Sequence, residues 1–140
     1  MIARVALMVA AVALSTVGCW PQSMDSIVVR IGAEPWTVLL QDRNGMRGLS
    51  GFDGANGMLI DYDQDIDPDA VDITMEGNTF PMDIAWFTDE GQFVGSATMA
   101  VCPSAPCPVY RAPGRFRWAI EAPVGAFTQV TVDDRLDLSH

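Results

Sequence analysis

Two carboxylates stand where chemistry could occur. Asp83 follows Pro81-Met82 and opens the apolar run Ile84–Phe87, and Glu121 comes at the end of the apolar stretch Phe116–Glu121. Burying a bare carboxylate costs several kcal/mol, so each must be bonded, paired or open to water. Two carboxylates with pKa values pushed apart could run acid–base hydrolysis, one as acid and one as base. Each also has a structural reading. Asp83 could accept backbone N–H bonds and pin a loop, and either could partner Arg47, Arg117 or Arg135. Nothing in the spacing sets the two side by side.

A second candidate is the acidic segment Asp61–Asp72. Counting Asp61 as position one, Asp61, Asp63, Asp65, Asp67, Asp69 and Asp72 fill positions 1, 3, 5, 7, 9 and 12, the liganding places of a calcium loop. Ile66 stands where such a loop needs Gly, Asp72 is shorter than the usual Glu, and no flanking helices are expected. The plainer reading is an exposed acidic loop, or an edge strand whose like charges discourage pairing with another chain.

Other chemistries lack their parts. The one histidine, His140, is terminal, which leaves a zinc site or a Ser/Cys nucleophile without partners. The glycines of 45–57 fit no phosphate-cradling loop. Cys102 and Cys107 have four residues between them, two more than a redox motif has. In an oxidising compartment they should pair as a structural disulfide. Trp36, Trp86 and Trp118 read as core aromatics.

The N-terminus says where such residues would work. Arg4, an apolar run from Val5 to Leu14 and the small Gly18 are the parts of a secretory signal over residues 1–18. The run is too short for a spanning helix, which needs about 20 apolar residues. Cys19 after Gly18 resembles a bacterial lipobox, with Thr16 where that motif carries an aliphatic residue. The expectation is an extracytoplasmic protein held at a membrane, at the periplasmic face or cell surface, by a lipid on Cys19, and otherwise a secreted one. Residues 19–26 then form the lipidated Cys and a linker, and 27–140 a single domain.

The net charge is −10, and loss of 1–18 removes Arg4 alone among the charges, leaving −11. An acidic surface without Lys argues against nucleic acid, whose phosphates need clustered basic side chains. It permits an envelope protein, a small molecule or a cation as partner.

The elements that would position these residues are mostly strands. Ile27–Ile31, Trp36–Leu40, Met58–Ile60, Ile84–Phe87, Gln92–Val94, Thr98–Val101 and Phe116–Glu121 are apolar or β-branched runs. Val71–Met75 alternates with period two, as a half-buried strand does. Val130–Val132 and Leu136–Leu138 read as short strands. Thr88-Asp89-Glu90-Gly91 is a hairpin turn. Residues 42–57 read as a loop with one helical turn near Met46–Ser50. The fold class is mainly β: a small sandwich or partly closed barrel with at most one or two short helical turns.

Three segments resemble one family. They are Met46-Arg47-Gly48-Leu49 with Gly57-Met58-Leu59-Ile60; Met75 through Phe87, continuing over Asp89–Val94; and Ala119-Ile120-Glu121-Ala122-Pro123-Val124-Gly125 with Asp134-Arg135. They are similar to the family called domain of unknown function 192 over roughly residues 27–138. The resemblance implies a compact β-rich fold and no established reaction. It adds Arg47, Met75 and Asn78 to Asp83 and Glu121 as ligand-binding candidates. Many members read Met-x-Asn-Thr where this chain has Gly77, with Asn78-Thr79 one place later.

The sequence thus points to an accessory or binding domain at the cell envelope. The alternatives are an envelope hydrolase using Asp83 and Glu121, or a calcium-stabilised interaction module.

Overall fold

Runs of β-branched and aromatic residues broken by Gly and Pro leave the chain little choice but strands. The computed structural model describes residues 25–41 and 54–138. Among these residues seven strands form one sheet: β1 (Ser26–Ile31), β2 (Glu34–Gln41), β3 (Gly57–Ile66), β4 (Met82–Phe87), β5 (Phe93–Met99), β6 (Phe116–Ala122) and β7 (Leu136–Asp137). Their order is β5-β4-β6-β3-β2-β1-β7. Neighbours are antiparallel except β2 and β3, which run parallel.

The sheet curls into a half-barrel. Its two outermost strands meet through the β4–β5 turn. There Leu136 donates its N–H to the Gly91 carbonyl at 2.8 Å, and Gln92 bridges to Arg135. Gly91 has φ +79°, and a Cβ there would sit 2.1 Å from the Leu136 carbonyl oxygen. Only glycine fits this contact.

Side chains alternate across the sheet and form two cores. The inner one takes residues from all seven strands, among them Val29, Val38, Leu59, Phe87, Phe93, Ile120 and Leu136. The outer one covers the central strands with Met58, Ile60, Met82, Ile84, Trp86, Met99 and Phe116. Ile73, Met75 and Cys102, from connecting segments, close over it.

The mainly β class, the hairpin and the strand stretches at 27–31, 36–40, 58–60, 84–87, 92–94 and 116–121 agree with the sequence. Three expectations need correction. Val71–Met75 keeps its alternation, with Ile73 and Met75 buried, but joins the rest only by single bridges, Ile73 to Tyr110 and Glu76 to Cys102. Its hydrogen bonds go to loops, so it acts as a flap over the outer face. Residues 130–132 form no strand. Asp134 accepts from the Thr131 N–H and hydroxyl, folding this stretch into a turn and leaving Val132 exposed.

The acidic segment is neither a plain loop nor a wholly free edge. Its first half, through Ile66, continues β3 against β6, with a register shift between Asp61 and Ile66. The pairing of β3 with β2, among the described residues, runs as far as Gln41 opposite Ile60. Pro68–Ala70 is a short 3₁₀ turn capped by Asp67, whose side chain accepts from the Asp69 N–H. The expected helical turn at Met46–Ser50 lies outside the described residues. The signal segment, Cys19 and Trp20 also lie outside them.

Candidate functional site

The two carboxylates lie on neighbouring strands but on opposite faces. Asp83 pairs with Ala122, and Glu121 pairs with Ile84. Ala122 belongs to the inner core and Ile84 to the outer one. Asp83 therefore shares the inner face with Ala85 and Phe87, whereas Glu121 shares the outer face with Met58 and Ile84. A shared cleft with one substrate bond between the two groups is ruled out by this register. The paired-carboxylate hydrolysis expected as an alternative loses its geometry.

Asp83 is 7% exposed and holds two elements together. Its Oδ1 accepts from the Thr98 hydroxyl on β5, and its Oδ2 accepts from the Gly125 N–H, each at 2.7 Å. Gly125, with φ +92°, turns the chain after Pro123 so that its N–H faces the carboxylate. This carboxylate is a structural pin. Neither Arg117 nor any other described arginine reaches it.

Glu121 is 6% exposed, and no hydrogen bond from the described residues reaches its carboxyl. Burial pushes its pKa up to about 7. Tyr62, on the same face of β3, is pushed up to about 12 by its own burial and by the Glu121 charge. Tyr62 packs edge-on against Phe116, with ring centroids 5.2 Å apart.

Tyr62 also lines a cleft of about 290 Å³ between β3 and the flap, together with Ile60, Asp72, Thr74, Glu76 and Asn78. The flap is fixed at both ends. Arg111 bonds the Pro68 carbonyl and Asp72 at 3.2 and 2.9 Å, and the Glu76–Cys102 bridge ties the far end to the disulfide. Cys102 and Cys107 are bonded, with Cα atoms 5.8 Å apart.

The structure thus gathers Asn78 and Met75 on the Glu121 side of the sheet and leaves Asp83 on the other. Arg47 lies outside the described residues. Tyr62 is a cleft residue that no motif marks. Its signal was present, since counting by twos from Ile60 puts it on the Ile60 face.

The six aspartates do not converge, and among the described residues no three His, Cys, Asp or Glu side chains could hold a metal ion. Asp61 bonds Arg117 at 2.9 Å, Asp65 accepts from the Asp89 N–H, Asp67 caps the 3₁₀ turn, and Asp69 and Asp72 face Arg111. Five of the six are thus engaged with arginines, the 3₁₀ turn or the Asp89 N–H.

A seven-stranded half-barrel with a small cleft under a loop flap defines a mainly β protein. The model of the DUF192 family, described as "Uncharacterized ACR", matches residues 25–138, and the chain belongs to that family. The crystal structure of a Sinorhizobium meliloti protein, described as a "putative transcription regulator", is similar in fold. Its TM-score is 0.69 at 21% identity, over 84% of this chain and 97% of that one. None of the curated proteins compared matches.

Proposed function

We propose that this protein is an extracytoplasmic, lipid-anchored accessory domain that binds a small ligand at the cell envelope without transforming it. The observation that carries the reading is the cleft beneath the flap. It sets an aromatic ring, Tyr62, among convergent polar groups from Thr74, Glu76 and Asn78. Concave sites with an apolar floor and a few placed polar groups are what small ligands use. The polar walls offer mostly acceptors, and the chain is acidic. The ligand is therefore a small molecule rich in hydrogen-bond donors, neutral or cationic.

The address rests on residues 1–19, and the Cys102–Cys107 bond supports it, because such bonds persist outside the reducing cytoplasm. Regulation of transcription, the description attached to the similar fold, finds little support in a chain of net charge −10. Arg111 and Arg117 serve acidic partners, and Arg30 and Arg115 bond backbone carbonyls.

Amide shift mapping with a panel of small polyols and primary amines tests the cleft. Shifts clustered at Tyr62, Thr74 and Asn78, and lost in Asn78→Ala, are the expected result. Shifts scattered over the surface, or none, would remove the binding reading. Fatty-acid labelling of wild type against Cys19→Ala tests the anchor, and equal labelling of both would refute it.

A further inference from the structure

The inner face of the half-barrel has an apolar opening of about 420 Å³, away from the cleft described above. Ile27, Leu40, Leu59, Trp118 and Leu138 line it, with the polar Gln41 and Asp61. Leu40 is 40% exposed, although its neighbour Leu39 is buried. A lone exposed leucine needs no explanation, but Leu40 with the half-buried Ile27, Trp118 and Leu138 around one opening, floored by the buried Leu59, makes a patch that water meets unfavourably.

The chain enters the fold at this rim. The Leu40 N–H donates to the carbonyl of Asp25, and Ile27 follows two residues later. Asp25 is six residues beyond Cys19. Even fully extended, that length spans only roughly 20 Å, so a lipid on Cys19 would hold this rim close to the bilayer. Trp118 adds an amphipathic ring of the kind favoured at membrane interfaces. The Arg117 guanidinium lies over that ring, 4.3 Å from its centroid, and puts a polar group beside the apolar ones.

We infer that this opening is a membrane-contact surface, with Ile27, Leu40, Trp118 and Leu138 entering the acyl boundary of the bilayer that holds the chain. The inference rests on the lipid anchor proposed above. Net negative charge, with Asp61 among the lining residues, opposes an anionic surface, so the lipid it suits is zwitterionic. The contact fixes the orientation of the tethered domain, since the anchor and the apolar rim together define which side faces the lipid.

Hydroxyl-radical footprinting tests it. The full acylated chain, with acylation verified by intact mass, is placed on phosphatidylcholine vesicles and compared with the Cys19→Ala chain in solution. Oxidation of Leu40 and Trp118 should fall several-fold on the vesicles, while the exposed Val124 and Val132 keep their rates. Leu40→Asp, still acylated, should restore Trp118 oxidation. Equal oxidation of Leu40 on and off vesicles, in a chain shown to be acylated, overturns the contact and leaves the anchor standing. A chain without an acyl group overturns both. Protection of Leu40 that grows with protein concentration in the absence of vesicles would assign the opening to a second copy and also overturn the contact.

Discussion

Glu121 keeps its proton where other glutamates have lost theirs. Burial raises its pKa from 4.5 to about 7. The unfolded chain releases this proton near the lower value and the folded chain near the higher one. The group's contribution is therefore intact below about pH 4.5 and is lost as pH climbs through 7. A shift of that size corresponds to about 3 kcal/mol. Glu121→Gln should raise the urea midpoint at about pH 8 and change it little below about pH 4.5, flattening the profile; an unaltered profile would assign the pH dependence to other groups. Asp83 stabilises through the two bonds it accepts. Asp83→Ala removes the acceptor of both the Gly125 N–H and the Thr98 hydroxyl, which belong to exposed residues and can turn to water, and should cost about 2 kcal/mol. Thr98→Val removes one bond and should cost about 1 kcal/mol. Equal losses in the two variants would show that the Gly125 bond contributes nothing. Both carboxylates were conspicuous in the sequence, because each interrupts an apolar run. Their separation was not. It depends on Asp83 facing Ala122 rather than Glu121, a one-residue matter of register between strands about 40 residues apart.

At the scale of elements, period two made the central strands legible: Met82, Ile84 and Trp86 face one way, Ala85 and Phe87 the other. The same pattern misled at Val71–Met75. An alternating stretch can bury one face against a sheet without joining it, and alternation alone does not say where the backbone bonds go. The disulfide steadies this flap through the Glu76–Cys102 bridge. Replacing Cys102 and Cys107 together by Ala should cost about 2 kcal/mol on the loop-entropy estimate. It should also speed amide exchange over residues 71–78 more than in β4 or β6. Uniform acceleration across the sheet would mean that the bond steadies the fold as a whole rather than the flap. Gly91→Ala attacks the closure instead. A positive φ and a 2.1 Å approach to the Leu136 carbonyl leave no room for a methyl group. Thermal denaturation should show a loss of at least about 2 kcal/mol, and a neutral result would mean that the turn relaxes freely.

For the whole molecule, the β-rich class followed from composition and the spacing of turns, but strand order did not. β3 sits beside β2 in parallel and beside β6 from much later in the chain, and β7 returns to β1. Such long-range choices are made by the packing of two faces at once, which no local pattern records. The cleft and the apolar opening were illegible for the same reason, since their walls come from segments far apart in sequence. The placing of β7 has a further consequence. Two residues, joined to β1 on one side and to the Gly91 turn on the other, shut the half-barrel, and they come last among the strands. A chain that emerges amino end first from a ribosome displays both edges of its sheet until β7 arrives. The sheet stays open until that short strand is in place, and a chain held before that point would be prone to join a neighbour.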